Sequence, residues 1–438
     1  MSLFEQIKTV LKRIPLVYYI YKWFKNKIKI IKIMKIIYNQ KNILSHYPKK
    51  TPLKVVFVLT HLSVFKTRTV FEKMLRDSAF EPLIIIAPYI IENKKKMFSD
   101  MDEMYSYFSK FNYPVIHAYN YKNSSWIDIQ KDVKPDMIIM SNPHKLTMDS
   151  YYSDLYENFI CYYVPYSHQM SKTPNYIDQY NQLFHNVMYR IFAPQSSELL
   201  IFKKYSVRKS KNILVTGYPA TEILMDRNYK AKNFWKKQNK IKKKIIFAPH
   251  HTIDTPNLPY ANFLKYADYF KKLVKIHEDT IQWAFKPHPL LKGKLKKHKE
   301  WGEDKTNEYW DFWENGSNTQ LEEKGYEDLF LTSDAMIHDS GSFLIEYLYV
   351  NKPVMYLTSS SLIIDHFNPF GCEAFDICLH GENFNDIDLF IDSVIQNRDI
   401  MKEKREQFLE KNITPYYKDK VPSDRIIESI KKDFGIIN

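Results

Sequence analysis

Short apolar runs separated by longer polar stretches repeat along the chain from residue 52 onward. The runs are apolar throughout, which is typical of strands buried on both faces of a parallel sheet. The polar stretches between them are long enough to form helices. In the first half of the chain, strands are predicted at Lys54–Thr60, Leu83–Ala87, Met137–Ser141, Phe159–Pro165, Ile191–Ala193 and Asn212–Thr216.

A Lys-rich stretch, Lys230–Lys244, interrupts this alternation and is predicted to be a linker or a short exposed helix. The alternation then resumes, with a helix predicted at Tyr260–His277. Further strands are predicted at Lys244–Ala248, Ile281–Lys286, Ala335–His338, Pro353–Leu357 and Asp376–Leu379. Two such blocks predict an α/β protein with two doubly wound, Rossmann-like domains facing each other across a cleft.

The pattern divides the chain into four segments. Residues 1–48 are predicted to form a basic amphipathic segment, residues 49–225 an N-terminal domain and residues 226–410 a C-terminal domain. Residues 411–438 are predicted to form a C-terminal helix that packs back on the N-terminal domain. A chain of 438 residues with 45% hydrophobic and 16% aromatic residues can bury two cores of this size.

The net charge of +14 is concentrated at the N-terminus. Residues 1–50 contain twelve Lys and Arg against a single acid, Glu5, whereas the rest of the chain carries 52 basic and 49 acidic residues. A protein that acts on nucleic acid usually spreads its basic surface over the folded body. No nucleic-acid partner is therefore expected.

The basic segment has the pattern of a helix that lies on a membrane. Lysines recur at spacings of three and four, with apolar residues at most positions between them, at Lys22, Lys25, Lys29, Lys32 and Lys35. Such a helix places lysines on anionic lipid and apolar side chains between the headgroups. The alternative is a solvated basic helix packed on the protein's own surface.

The same segment matches neither a membrane span nor a signal peptide. Its longest uncharged run, Ile14–Tyr21, is far shorter than the roughly 18 residues that a spanning helix needs. No small-residue cleavage site follows an apolar stretch.

Glycine and cysteine counts exclude several classes of protein. The chain has nine glycines, and the closest pairs are nine residues apart, so neither GxGxxG nor GxxxxGK is present. This excludes a typical kinase, a P-loop NTPase and a typical NAD enzyme. The three cysteines, Cys161, Cys372 and Cys378, form no CxxC pair, as expected in a reducing cytoplasm.

Polar side chains follow three predicted strands of the second block, and the carboxyl ends of parallel strands are where ligands bind. These residues are His250, His251 and Thr252 after the first strand, Lys286 and His288 after the second, and Asp339, Ser340, Gly341 and Ser342 after the third. The last group precedes a predicted helix, Phe343–Val350. Its backbone N–H groups and hydroxyls would attract a phosphate, with Lys286 and the histidines nearby. The alternative is an ordinary helix cap without a ligand.

A metal site is the other interpretation of the paired histidines. His250 and His251 have the chemistry of zinc ligands, but no cysteine or carboxylate spacing of a zinc site accompanies them. We therefore expect no metal and no cofactor.

The order of motifs in this half resembles that of the CDP-glycerol glycerophosphotransferase family, which primes and polymerises teichoic acids and has relatives that build capsules. The resemblance covers about residues 210–360. Its most specific parts are Lys-x-His-Pro and the acid-Ser-x-Ser helix start. The matching stretches are Gly217-Tyr218-Pro219, Ala248-Pro249, Lys286-Pro287-His288-Pro289, and Ser333-Asp334 through Asn351-Lys352-Pro353.

The resemblance implies a GT-B fold, with a CDP-linked donor in the C-terminal domain and the acceptor on the side of the N-terminal domain. It also implies that a histidine of the N-terminal domain faces the donor, and His168 matches that position without the family's neighbouring Trp and Gly. Other departures are Ala220 in place of Arg, and His338 to Ser342 in place of Asp-Tyr-Ser-Ser. For His168 and His288 the alternative is a structural histidine at a strand end.

The implied site has two catalytic histidines and a set of donor-binding residues. His168 would act as general base, and His288 would steady the phosphoryl oxygens or the leaving CMP. The expected donor-binding residues are Lys286, His250, His251, Thr252, Gly217, Asp339, Ser340, Gly341, Ser342 and Glu346.

The expected function is transfer of a polyol phosphate, such as glycerol phosphate, from a CDP-linked donor to a lipid-linked or polymeric cell-surface glycan. The expected location is the cytoplasmic face of a bacterial plasma membrane, with peripheral attachment. One alternative is a GT-B glycosyltransferase that uses a nucleotide sugar, including a CMP-linked acid sugar. Another is a membrane-docked binding protein without catalytic activity.

Overall fold

The computed structural model describes residues 15–48, 51–91, 93–172, 175–255, 258, 260–323, 325–358 and 361–437. These residues form two compact units. The first unit comprises residues 15–166, 175–216 and 423–437, and the second comprises residues 167–172 and 217–422.

The first unit is built on a seven-stranded sheet in which every named pairing is parallel. The strand order is β3-β2-β1-β6-β7-β8-β9. These strands are β1 (Leu53–Leu59), β2 (Phe80–Ile86), β3 (Val115–His117), β6 (Met137–Met140), β7 (Ile160–Tyr163), β8 (Arg190–Ala193) and β9 (Ile213–Val215), with a separate two-stranded ribbon of β4 (Tyr119–Asn120) and β5 (Ser125–Trp126).

Helices cover this sheet because its central strands are buried on both faces. The first six, in chain order, are α1 (Pro15–Ser45), α2 (Arg68–Arg76), α3 (Lys94–Lys110), α4 (Ser153–Asn158), α5 (Tyr176–Tyr180) and α6 (Leu183–Val187). The next is α7 (Ser197–Tyr205), and α17 (Pro422–Asp433) joins them from the far end of the sequence.

The second unit has a six-stranded parallel sheet in the order β12-β11-β10-β13-β14-β15. Its strands are β10 (Lys243–Ala248), β11 (Ile281–Phe285), β12 (Thr319–Leu321), β13 (Ala335–His338), β14 (Val354–Leu357) and β15 (Leu379–Gly381). Its helices are α8 (Glu222–Met225), α9 (Phe263–Ile276), α10 (Leu291–Lys297), α11 (Gly302–Asn315), α12 (Glu327–Thr332), α13 (Phe343–Glu346), α14 (Pro369–Asp376), α15 (Phe384–Ile395) and α16 (Lys402–Asn412). The prediction of two doubly wound, Rossmann-like parallel sheets is confirmed.

The boundaries of the two units differ from the predicted domain boundaries. Residues 167–172 and 217–225 were predicted in the N-terminal domain but belong to the second unit. Gly217 shows why: its φ is +89°, and a Cβ there would lie 2.7 Å from Tyr416 Cβ and 2.8 Å from a side-chain carbon of Pro422. Only glycine fits this close approach of two segments of the second unit.

Helix α17 packs within the first unit through buried and charged contacts. Ile426 and Ile430 are buried in the core of that unit. Asp433 accepts from Arg190 Nε at 2.6 Å and from the hydroxyl of Tyr162 at 3.1 Å. A carboxylate held by a guanidinium and a phenol fixes the end of the helix against strands β7 and β8.

Helix α1 has two apolar faces. Ile33 and Ile36 are buried in the core of the first unit, and Gln40 on the same face donates to the carbonyl of Val187 at 2.9 Å. The opposite face exposes Ile31 and Met34 with about two thirds of each side chain accessible. Among the described helices, none is long and apolar enough to cross a membrane.

One local prediction was wrong, and one that left two alternatives open is decided. Asp376 was predicted to begin a strand, but it ends helix α14, which starts at Pro369 after the capping side chain of Asn368 accepts from Gly371 N. The strand itself begins at Leu379. The Lys-rich stretch before β10 forms no helix in its described residues and is a linker.

Candidate functional site

The histidines predicted at strand ends lie on neighbouring strands. Strand β10 lies between β11 and β13, so the residues that follow these three strands meet at one edge of the sheet. Backbone bonds continue the ladder past the strands: Lys286 N donates to Phe247 O at 2.8 Å, and His288 N donates to Pro249 O at 3.0 Å. These bonds place His288 beside the segment that carries His250 and His251.

The three imidazoles of His250, His251 and His288 form one cluster, which we call the histidine cluster. Their ring centroids are 4.4 Å apart for His250 and His251, 4.1 Å for His251 and His288, and 5.1 Å for His250 and His288. One ring nitrogen of each lies within 4.8 Å of a ring nitrogen of the other two. The predicted convergence of these residues is therefore seen in the structure.

Two of the three rings are held through Nδ1. Leu290 N donates to Nδ1 of His288 at 3.2 Å. Nδ1 of His250 lies 3.1 Å from the hydroxyl of Thr252, and that hydroxyl accepts from Ala261 N at 3.2 Å. Nδ1 of His251 is buried and has no hydrogen-bond partner in the described part of the chain.

The environment keeps these imidazoles neutral. Burial, followed by the nearby His251, His288 and Lys294, holds the pKa of His250 well below its usual range. Burial and Lys294 lower the pKa of His251 to about 4. Burial, His251, Lys286 and Lys294 lower the pKa of His288 to about 3. Desolvation penalises the charged imidazolium, and neighbouring cations add to that penalty.

Asp339 is the anchor of this edge. It is completely buried, and its two carboxylate oxygens accept from His250 N and Asn262 N, both at 2.5 Å. Burial raises the pKa of Asp339 to about 7. The prediction that Asp339 caps a helix or contacts the donor is corrected. Its buried carboxylate instead accepts from the backbone N–H groups of His250 and Asn262, and so links the two ends of the segment between them.

The predicted helix start at Ser340 to Ser342 is less regular than expected. Helix α13 is only four residues long and continues as a 3₁₀ helix to Val350. The exposed Ser342 makes no side-chain capping bond in the described structure, and the N–H of the buried Ser340 donates to His338 Nδ1 at 3.2 Å. A Cβ on Gly341 would make an ordinary van der Waals contact, at 3.4 Å, with Met170 Cε.

Two further predicted donor-binding residues are buried. Lys286 is 7% exposed at the end of β11, next to the histidine cluster. Glu346 is 2% exposed, and burial together with this carboxyl raises the pKa of Tyr326. The side chain of Glu346 therefore does not face solvent.

His168 lies in the second unit rather than in the N-terminal domain where it was predicted. Asn368 secures the segment by donating from its backbone N–H to Met170 O at 2.7 Å and from its side chain to Gln169 O at 2.7 Å. The buried ring of His168 packs against Tyr218, and its Nε2 lies 2.9 Å from the hydroxyl of Tyr349.

Tyr349 shares side-chain hydrogen bonds with Thr221 and Tyr417 and so belongs to a buried hydroxyl network that the sequence did not reveal. The hydroxyl of Tyr417 donates to Tyr218 O at 2.7 Å and lies 2.8 Å from the hydroxyl of Thr221.

Lys294 is a second residue that the sequence analysis missed. Its ammonium pairs with Asp254 at 2.6 Å and faces the histidine cluster. The one available signal was the run of lysines that follows Lys286-Pro287-His288-Pro289.

Two Rossmann-like parallel sheets, with imidazoles and a lysine at the strand ends of the second, define an α/β protein with a GT-B-like fold and a candidate ligand site at that sheet edge. The chain belongs to the family described as CDP-Glycerol:Poly(glycerophosphate) glycerophosphotransferase, whose model matches residues 166–432. The resemblance seen in the motifs is thereby confirmed.

The curated relatives are teichoic acid polymerases of Staphylococcus aureus (strain NCTC 8325 / PS 47). The chain is 25% identical over 280 residues to the teichoic acid ribitol-phosphate polymerase TarL, covering 61% of this chain and 45% of TarL. It is 23% identical over 285 residues to TarK, covering 61% of this chain and 49% of TarK. The chain thus matches about half the length of each relative.

Solved structures with the same fold cover nearly all of the chain. A variant of the wall teichoic acid polymerase TagF has a TM-score of 0.57 at 15% identity, covering 99% of this chain and 98% of that one. The S. aureus MnaA–UDP complex has a TM-score of 0.56 at 17% identity, covering 88% of this chain and 98% of that one. At these identities the likeness establishes the fold.

Proposed function

We propose that the chain transfers a polyol phosphate from a CDP-linked donor to a lipid-linked or polymeric acceptor of the teichoic acid type. Membership of the glycerophosphotransferase family supports this reaction, as does the similarity to TarL over 280 residues. The observation that carries the proposal is the meeting of His250, His251, His288 and Lys286 at one sheet edge.

The donor's diphosphate would bind at this edge. Lys286 and Lys294 supply positive charge, and the imidazole N–H groups supply hydrogen-bond donors. Thr252, through its bond to His250, and Asp339, through the backbone, hold the cluster in place. Ser340, Gly341, Ser342 and Glu346 follow the adjacent strand and would bound the rest of the donor.

In the proposed reaction an acceptor hydroxyl oxygen attacks the phosphorus that bears the polyol. A new P–O bond forms to the acceptor, the P–O bond to CMP breaks, and CMP leaves with the electron pair. His168 takes the hydroxyl proton as general base, and His288 donates to the oxygens that gain charge. Positioning and charge stabilisation supply most of the rate in phosphoryl transfer, so the scheme uses no metal and no cofactor.

The proposed location is the cytoplasmic face of a bacterial plasma membrane. The outward face of α1 carries Ile31, Met34 and Tyr38, each at least 65% exposed, with Lys27 and Lys35 on the same side of the helix. Apolar side chains among lysines suit an anionic lipid surface. A lipid-linked acceptor would then be presented to the enzyme in two dimensions.

Donor turnover tests the proposed function. The full chain would be incubated with a lipid-linked glycerol phosphate oligomer and CDP-glycerol or CDP-ribitol, and CMP release and phosphorus in the product would be measured. We expect both products from one of the two donors. Turnover of UDP- or CMP-linked sugars instead would support a glycosyltransferase, and CMP binding without turnover of any donor would support a non-catalytic protein.

A further inference from the structure

The histidine cluster has hydrogen bonds that decide which ring nitrogens carry protons. A backbone N–H can only donate, so Leu290 N fixes Nδ1 of His288 as an acceptor. In a neutral imidazole the proton then sits on Nε2. His288 therefore presents an N–H donor to the cluster.

His250 has a similar arrangement. The hydroxyl of Thr252 accepts from Ala261 N, and we assign its own proton to the contact with Nδ1 of His250. His250 then also carries its proton on Nε2. Nδ1 of His251, buried without a described partner, remains as a place for an additional proton.

These tautomers suit an anion better than a metal ion. A histidine that ligates a metal through Nε2 must have its proton on Nδ1, and Leu290 N blocks that arrangement in His288. Two N–H donors with Lys286 and Lys294 nearby instead form a receptor for phosphate oxygens.

We propose that His250, His251 and His288 act together as a proton-accepting receptor, so that binding of the donor's diphosphate is coupled to uptake of a proton by the cluster. The inference rests on the proposed function, because it takes the donor's diphosphate as the ligand. It adds that donor affinity depends on pH, and that the cluster supplies a cation when the anion arrives.

The charges around the cluster explain the direction of the coupling. The cations that disfavour protonation of the histidine cluster are Lys286 and Lys294. Three acids lie nearby. Asp254 pairs with Lys294, Glu322 lies close to Lys286, and Asp339 accepts from the backbone N–H of His250. Without ligand, burial and the two lysines outweigh the acids. The pKa of His251 is therefore lowered to about 4 and that of His288 to about 3. A dianion within 4–6 Å reverses the local potential and raises an imidazole pKa by about 1–3 units.

Calorimetry of the full chain at pH 6 tests the coupling. CDP-glycerol is the probe, because each of its phosphates carries one ester and one anhydride bond and so has no ionisation near this pH. Titrations in MES and in bis-Tris, which differ in ionisation enthalpy, give the number of protons taken up. We expect about 0.5–1 proton per donor bound, with affinity rising by up to about tenfold per unit as the pH falls from 7.5 to 5.5.

Two variants assign the proton to the cluster. His251→Gln keeps a polar side chain but cannot take up the proton, and we expect uptake to fall by at least half. His277→Gln is the matched control in the same unit, because His277 uses its backbone carbonyl to bind Thr280 N and Ile281 N; uptake should not change.

The outcomes separate the inference from the proposed function. Binding of CDP-glycerol with equal heats in both buffers and a flat pH dependence overturns the coupling but leaves the transferase intact. Absence of binding of both CDP-glycerol and CDP-ribitol at every pH overturns the proposed function. Stoichiometric binding of Zn²⁺ that is lost in His251→Gln would show that the imidazoles are metal ligands, which contradicts the assigned tautomers.

Discussion

Nε2 of His168 lies 2.9 Å from the hydroxyl of Tyr349, and both side chains are almost completely buried in the second unit. A buried phenol at this distance sets the orientation and protonation of the ring. Burial also raises the pKa of Tyr349, so the phenol stays protonated at neutral pH. If His168 is the base, Tyr349 is its positioning residue.

We expect His168→Ala to reduce kcat by about 10²–10⁴-fold and to leave the Kd for CMP nearly unchanged, because the base acts on the acceptor. Tyr349→Phe should reduce kcat by about tenfold and shift its pH profile, because the ring loses its fixed orientation. Steady-state kinetics from pH 5.5 to 8.5 would measure both effects.

Tyr417→Phe is the control for these two variants, because it removes a second phenol of the same buried network. It should lower the midpoint of urea unfolding and keep kcat within about twofold. Full activity in His168→Ala would exclude His168 from the chemistry and leave it a structural histidine.

Asp339→Asn should change how stability depends on pH. The folded pKa of Asp339, about 7, lies above the usual value of 3.8, so its favourable contribution is complete below pH 4 and is lost as the pH rises towards 7. The difference in unfolding free energy between parent and variant should change by a few kcal/mol over this range, as an order of magnitude. Urea denaturation at pH 4.5, 5.5, 6.5 and 7.5 would measure it; a constant difference contradicts the assigned role.

Lys352 should matter for stability and not for donor binding. Its ammonium donates to the carbonyls of Phe330, Leu331 and Ser333 at 3.0, 2.7 and 2.6 Å, and so caps the C-terminal end of α12. Lys352→Met keeps the aliphatic stem and leaves three carbonyls without their cation, at a cost of about 2–4 kcal/mol. Thermal unfolding would show the loss, and calorimetry with CMP in the folded variant should give the parental Kd.

The outward face of α1 should govern binding to anionic vesicles. Replacing Ile31 and Met34 by Ser should abolish flotation with phosphatidylglycerol liposomes and leave the unfolding midpoint unchanged, because both side chains face outward. The matched control is Leu389→Ser with Ile400→Ser, two equally exposed apolar residues of the second unit. Removing residues 1–45 is a poorer test, since it also removes Ile33 and Ile36 from the core. Flotation of the Ile31 and Met34 variant would place the membrane contact elsewhere.

Strands with long apolar runs could be predicted from the sequence to within about three residues. Burial on both faces imposes such runs, as in β1 and β10. The edge strands β3 and β12 were missed because neither contains an uninterrupted apolar run: Val115-Ile116-His117 ends in a histidine, and Thr319-Gln320-Leu321 begins with two polar residues. Edge strands are covered on fewer sides, and their sequences carry a weaker signal.

The positions of site residues could be predicted from the sequence where a residue directly follows a strand. The carboxyl ends of β10 and β11 placed the histidines and Lys286 correctly, because parallel neighbours end at the same edge. The contacts of Asp339 and His168 were not predictable, since each is made with a partner far away in sequence, Asn262 for one and Tyr349 for the other. No periodic pattern in the sequence indicates hydrogen bonds between residues so far apart.

The chain passes between the two units four times: after residue 166, between residues 172 and 175, after residue 216 and after residue 422. Helix α17 completes the first unit only at the end of this path. On the ribosome, every strand of the first sheet has been made by residue 215, while the surface that receives Ile426, Ile430 and Phe434 stays uncovered. At 5–20 residues per second, the remaining two hundred or so residues take roughly 10–40 s to synthesise. During this interval the nascent first unit offers an apolar surface to chaperones, and a protein cut short before residue 423 would never bury it.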